Sequence, residues 1–189
     1  MLEVEFKASL EGIPPAQIED RWRSLGFIPA TQQREEDTYY GAPGRDFHRS
    51  DEALRLRRRT CLPDGPVENL LTYKGPKLDT VSRTRREYEV AVSDGETAAR
   101  LLEALGYTPD HTVRKNRREL KKDGVTLCLD EVEGLGRFIE LEKLVEDGGD
   151  RDAARQELLE LLEMLGVPRK NLTRFSYLEQ LIRKEERAE

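Results

Sequence analysis

Charged residues recur at every second position in segment after segment of this chain. Glu3, Glu5 and Lys7 alternate with Leu2, Val4 and Phe6, and Arg55, Arg57 and Arg59 alternate with Leu54 and Leu56. Thr72 and Lys74 stand opposite Leu71 and Tyr73, and Arg83, Arg85, Glu87 and Glu89 stand opposite Tyr88 and Val90. Lys115, Arg117 and Glu119 share a phase, as do Thr126, Cys128 and Asp130, and Glu140 and Glu142. Successive side chains on a strand point to opposite faces, so this period writes a sheet with one charged face and one apolar face. The candidate strands are Leu2–Leu10, Phe27–Tyr40, Ala53–Thr60, Asn69–Lys74, Thr84–Val92, Thr112–Lys121, Gly124–Asp130 and Arg137–Val145. Lys122-Asp123-Gly124 reads as a hairpin turn.

Four segments carry the helical period instead. One runs from about Pro14 to Leu25, with Ile18, Trp22 and Leu25 on a common face and Trp22 as a core contact. A second opens on Ser93 with Glu96 in a capping-box pattern and buries Ala98, Leu101, Leu102 and Leu105. A third spans about Asp150 to Leu165, packing Leu158, Leu161, Leu162 and Leu165. A C-terminal helix is predicted from Leu172 to Arg187, with Phe175, Leu178, Leu181 and Ile182 on one side. Leu25-Gly26, Leu105-Gly106 and Leu165-Gly166 close the first three, a common helix ending rather than a mark of duplication.

These helices need an apolar surface to cover, and the sheet's apolar face is the only candidate. An open sheet would leave its charges in water, which suffices for any one strand. Solvated faces usually mix Thr, Ser, Lys and Gln, however, whereas these are mostly Glu, Asp and Arg. Charged residues make up 37% of the chain, against about 25% in an ordinary domain. If the sheet closes, the charged face becomes a lumen, and charges there must be paired or must hold ligands and ions. The acids come as pairs on three strands, with Asp130 on another, a donor set for a hard cation such as Mg2+ or Mn2+. Arg55, Arg57, Lys74, Arg85, Lys115 and Arg117 lie on other strands, where Arg forks and Lys ammonium groups suit phosphate oxygens. One acidic wall and one basic wall are the expectation, fitting a metal–polyphosphate substrate.

Other classes fall away. At 189 residues one domain spanning 1–189 is expected. Two cysteines, far apart at Cys61 and Cys128, and two histidines are too few for a zinc framework and point to a reducing, cytoplasmic setting. Cys128 reads as a small buried thiol, and His48 and His111 as surface residues. No apolar run has the length of a membrane span, and Met1-Leu2-Glu3-Val4-Glu5 is no signal peptide. A net charge of −6 argues against nucleic acid. The basic runs Arg57-Arg58-Arg59 and Arg114–Lys122 are split across two faces by alternation.

Glu3-Val4-Glu5-Phe6-Lys7 matches the E-x-E-x-K signature of the CYTH domain, the triphosphate tunnel metalloenzymes. Asp51-Glu52-Ala53-Leu54-Arg55-Leu56-Arg57 resembles that family's arginine strand, and Leu71-Thr72-Tyr73-Lys74-Gly75-Pro76 its lysine strand. Arg85-Arg86-Glu87-Tyr88-Glu89, Lys115-Asn116-Arg117, Leu129-Asp130-Glu131-Val132 and Leu135-Gly136-Arg137-Phe138-Ile139-Glu140-Leu141-Glu142 follow in family order. The resemblance implies an α+β fold, a closed antiparallel β-barrel of about eight strands with flanking helices. It implies Mg2+ or Mn2+ held by Glu3, Glu5, Asp130, Glu140 and Glu142, and phosphates held by Lys7, Arg55, Arg57, Lys74, Arg85, Lys115 and Arg117. Glu5, Glu140, Arg57 and Lys74 would be catalytic, and Glu87 and Glu89 would serve metals or pair with tunnel arginines. The implied activity is metal-dependent in-line attack at phosphorus on ATP, tripolyphosphate or thiamine triphosphate. No strong general base stands out, so a water or alkoxide activated by the cation is the expected nucleophile. Asp37-Thr38-Tyr39-Tyr40-Gly41-Ala42-Pro43, Arg45-Asp46-Phe47 and Ser176-Tyr177-Leu178-Glu179-Gln180-Leu181 resemble the class IV adenylate cyclase-like branch, which makes cyclic AMP and pyrophosphate. A triphosphatase is the alternative, and a non-catalytic polyphosphate or nucleotide binding module the rival from another class. A homodimer is allowed.

Overall fold

The computed structural model describes residues 2–78, 85–146 and 148–187. Met1, Arg83 and Thr84 therefore lie outside the described residues. Eight strands form the barrel: β1 (Leu2–Ser9), β2 (Ile28–Gly41), β3 (Ala53–Cys61), β4 (Val67–Lys77), β5 (Arg85–Val92), β6 (Thr108–Lys122), β7 (Val125–Val132) and β8 (Gly136–Val145). Their order around the barrel is β1-β8-β7-β6-β2-β3-β4-β5, and β5 returns to β1 where Arg85 faces Glu3. Every pairing is antiparallel. A two-residue β9 (Leu172–Thr173) pairs with Lys7 and Ala8 farther along β1. Closure removes the exposed edges that an open sheet of this size would carry.

The apolar face points outward and the helices cover it. Val4, Phe6, Ala8, Leu120, Val125, Leu127, Ile139 and Leu141 pack beneath Ile18 and Trp22 of α1 (Pro15–Ser24) and Ala154, Leu158 and Leu162 of α3 (Arg151–Met164). Phe138, Val113 and Val132 pack against Tyr177 and Leu178 of α4 (Tyr177–Glu186). Leu102 of α2 (Gly95–Ala104) meets Tyr40 and Leu56. The hydrophobic core thus lies outside the barrel, and the interior is left to charge. No described helix is long and apolar enough to cross a membrane.

The chain departs from expectation at several boundaries. Asp94, not Ser93, caps α2: its carboxylate accepts from the amides of Glu96 and Thr97 at 3.0 and 3.3 Å, and its charge suits the helix N-terminus. Only Leu102 of the expected α2 stripe is buried, while Leu101 and Leu105 are exposed. The C-terminal helix begins at Tyr177, because Leu172–Thr173 extends the sheet and the capping box sits at Ser176 and Glu179. Phe175 therefore precedes the helix and lies under the Arg183 guanidinium at 3.7 Å. β6 begins four residues earlier than expected, with Pro109 seated at a register shift opposite Tyr40. The hairpin at Asp123-Gly124 is as expected, both residues having positive φ (48° and 77°).

Candidate active site: a charged tunnel

Inward-facing residues of all the barrel strands except β7 line a cavity of about 230 Å³. On β1 and β8 the register sets Glu5 opposite Glu142 and Lys7 opposite Glu140. Glu3 completes a cluster of four carboxylates on two adjacent strands. Burial, with help from Glu87, Glu5 and Glu140, raises Glu3 to about 7 against the pull of Lys74. Burial and the charge of Glu3 push Glu142 well above the carboxylate range. Both face a lumen that water enters, so they are only half-buried by surface although protein surrounds them. Like charges directly opposite on paired strands are unfavourable. Carboxylate oxygens of Glu140 and Glu142 and the Cys128 sulfur lie within 4.8 Å of one another, and the surrounding oxygen-rich, electron-rich set suits a hard divalent cation. Beside it, the Cys128 sulfur is buried, 3.9 Å from Glu142 Oε1, and burial holds the thiol protonated.

The predicted phosphate ligands Lys7, Arg55, Arg57, Lys74, Arg85, Lys115 and Arg117 all line the same cavity. Lys7 Nζ lies 2.8 Å from Glu140. Lys74 pairs with Glu87, and Arg55 bonds Thr72 at 3.2 Å with Glu89 at 3.7 Å. Arg57 grips Asp37 with Nε and Nη2 at 2.6 and 2.8 Å and reaches Glu35 at 3.0 Å. Lys115 lies 3.1 Å from Glu35.

Asp130 is placed differently from the other predicted metal ligands. It does not line the cavity but sits behind Arg117, accepting from its Nε and Nη2 at 2.7 and 2.6 Å and from the Tyr177 hydroxyl at 2.8 Å. Arg117 also bonds Glu140. In this arrangement Asp130 aims an arginine into the lumen.

The expected division into one acidic and one basic wall gives way to alternation. β2 stands between the basic strands β6 and β3 and contributes Gln33, Glu35 and Asp37, all buried. Burial alone would raise Glu35, but Lys115, Arg57 and Arg117 reverse this and hold it at about 2. Asp37 is likewise held far below the usual range, Arg57 and Arg55 outweighing its burial. Sequence reasoning passed over this pair because β2 is polar on both faces, Arg34 and Glu36 occupying the outer one. The usable signal was phase: Gln33, Glu35 and Asp37 alternate as the other lumen residues do.

One mouth is bounded by Phe47 and His48, by Ala53, and by Ser176, Tyr177 and Leu178 at the start of α4. Burial, then Asp130 and Glu140, hold the Tyr177 phenol well above its ordinary pKa, so it stays a neutral donor. His48 and His111 both converge on Asp110, at 3.0 and 3.1 Å.

A family model described as the CYTH domain matches residues 1–177. A Methanocaldococcus jannaschii protein provisionally named an adenylate cyclase is 37% identical over 179 residues, 95% of this chain and 98% of that one. An Aeromonas hydrophila protein named adenylate cyclase is 27% identical over 93% of this chain and 86% of its own. A solved structure from Pyrococcus horikoshii superposes with a TM-score of 0.87 at 41% identity, covering 96% of this chain and 99% of the other.

Proposed function

The chain belongs to the CYTH domain family, and from that premise we propose that it is a divalent-metal-dependent enzyme acting on a triphosphate, converting ATP to cyclic AMP and pyrophosphate. The observation that carries this reading is the meeting of four clustered carboxylates with eight lysine and arginine side chains in one lumen. Binding phosphate alone needs no carboxylate cluster, which weighs against a non-catalytic module. Glu3, Glu5, Glu140 and Glu142 would hold a divalent cation, which would supply Lewis acidity and charge neutralisation. Lys7, Lys74, Arg55 and Arg85 bind phosphate oxygens, Arg bidentately where its fork faces two of them. Arg57 and Arg117 are fixed by carboxylates from behind, so they meet the charge that develops on the leaving phosphates without reorganising.

The cyclase choice rests on the adenylate cyclase names of the two relatives. Cyclisation needs the ribose 3′-oxygen near the α-phosphorus, whereas hydrolysis needs a water in line with the γ-phosphorus. One observation favours a triphosphatase as the second reading. Apart from Phe47, Ala53 and Leu178 and the rings of Tyr39 and Tyr177, the lining is overwhelmingly charged, which leaves little surface to hold a base. Incubation with ATP and Mg2+ or Mn2+, followed by chromatography, decides. Cyclic AMP with pyrophosphate is the expected outcome. Orthophosphate alone, with faster turnover of tripolyphosphate or thiamine triphosphate, selects the triphosphatase. No turnover of any of them overturns both.

A further inference from the structure

Tyr177 belongs to the C-terminal helix, yet it touches four barrel strands. Its ring meets the Lys7 ammonium of β1 at 3.5 Å from the centroid and the Lys115 ammonium of β6 at 5.1 Å. Its hydroxyl donates to Asp130 of β7 at 2.8 Å, and Asp130 in turn grips Arg117. Phe138 stands edge-on to the ring at 5.0 Å, which sets the ring plane. The Ser176–Glu179 capping box places Tyr177 at the first helical position, pointing into the tunnel mouth.

Ammonium groups over an aromatic ring are attracted by its quadrupole, most strongly where water is excluded. Lys7 and Lys115 are almost completely buried, and each also has a carboxylate to turn to: Glu140 for Lys7, Glu35 and Asp130 for Lys115. Both ion pairs are already made with the ring in place, so the ring is a second partner that draws toward one another two lysines whose carboxylates lie on separate strands. We propose that Tyr177 is a positioning residue for the anion site, its ring gathering Lys7 and Lys115 into one cationic pair and its hydroxyl fixing Asp130 so that Arg117 points into the lumen. Docking of α4 thereby sets the charge arrangement inside the barrel. This inference rests on the reading of the lumen as a polyphosphate site.

The test separates the ring's electrostatics from its packing. Position 177 is replaced by phenylalanine and then by phenylalanines carrying successively more ring fluorines, which remove the quadrupole at nearly constant shape. Tripolyphosphate binding is measured by calorimetry, with the melting temperature as the control for folding. The expected result is affinity falling stepwise with fluorination, by about tenfold across the series, at an unchanged melting temperature. A flat series overturns the positioning role. In parallel, the Lys7 ε-methylene protons are expected to show an upfield ring-current shift by NMR in the wild type and in Tyr177→Phe, and to lose it in Tyr177→Leu. Absence of that shift in the wild type refutes the contact itself. A wild type that shows the shift but binds no tripolyphosphate removes the functional reading and, with it, the anion-positioning role, while the contact stands.

Discussion

At the scale of single residues, the tunnel contains two kinds of carboxylate. Glu35 and Asp37 are held low by arginines and a lysine, whereas Glu3 and Glu142 are raised by burial and by neighbouring carboxylates. The first kind acts as a strut and the second suits a cation. Glu5→Gln, which removes a cluster charge at nearly constant volume, is expected to lower metal-dependent turnover on the order of a hundredfold with the melting temperature retained. Unchanged turnover would exclude Glu5 from the cation site. Glu35 carries a pH signature of the opposite sense. Its folded pKa of about 2 lies below the ordinary glutamate value of 4.5, so its stabilisation is complete above the unfolded pKa and is lost as pH falls through 4.5 toward 2. Between pH 5 and pH 3 the melting temperature of the wild type is expected to fall more steeply than that of Glu35→Gln. Parallel curves would deny the pairing.

At the scale of elements, the apolar half of each strand's alternation recruits a helix, and the amount of burial differs among helices. Leu158 of α3 is fully buried against β1 and β8, whereas Leu101 of α2 is 59% exposed. Leu158→Ala is expected to cost about 2–5 kcal/mol in denaturant unfolding, and Leu101→Ala less than about 0.5 kcal/mol. Comparable losses at the two sites would mean that α2 packs as its leucine spacing alone suggests. The sequence pattern names both leucines equally, since spacing reports a stripe and not how far around the helix the sheet reaches. The same limit explains α4. Leu172 and Phe175 fit a helical stripe, but pairing with the edge of β1 claims the first and the Ser176 cap excludes the second.

At the scale of the whole molecule, the barrel inverts the usual arrangement, with its core between wall and helices and its charges inside. Such an interior is stable only while its ions are matched, and a polyphosphate with a divalent cation would complete the matching. Tripolyphosphate with Mg2+ is therefore expected to raise the melting temperature, by the equivalent of about 2.7 kcal/mol at a hundred times Kd. ATP should act similarly, AMP less, and Lys74→Gln should remove much of the shift. Lys74 is the informative position, because replacing Arg57 would strip Asp37 and Glu35, both buried, of the guanidinium that grips them together. An AMP response equal to that of ATP would refute recognition of the triphosphate.

Alternation by itself determined which side chains share a face, because the period of two is local backbone geometry. It marked Glu3, Glu5, Lys7, Arg55, Arg57, Lys74, Arg85, Lys115, Arg117, Glu140 and Glu142 as inward-facing, and the apolar complement required helices on the other side. Only the tertiary structure decided who faces whom. Register between strands far apart in sequence set Asp37 beside Arg57 and Glu5 beside Glu142. Strand order placed β2 between the two basic strands and broke the expected walls into an alternating ring. Closure brought Arg85 to Glu3. Asp130 shares the inward phase, and nothing local separates a carboxylate that faces the lumen from one enclosed by an arginine and by a tyrosine 47 residues away. Pairing across such separations depends on barrel shear and helix docking, which are properties of the assembled chain.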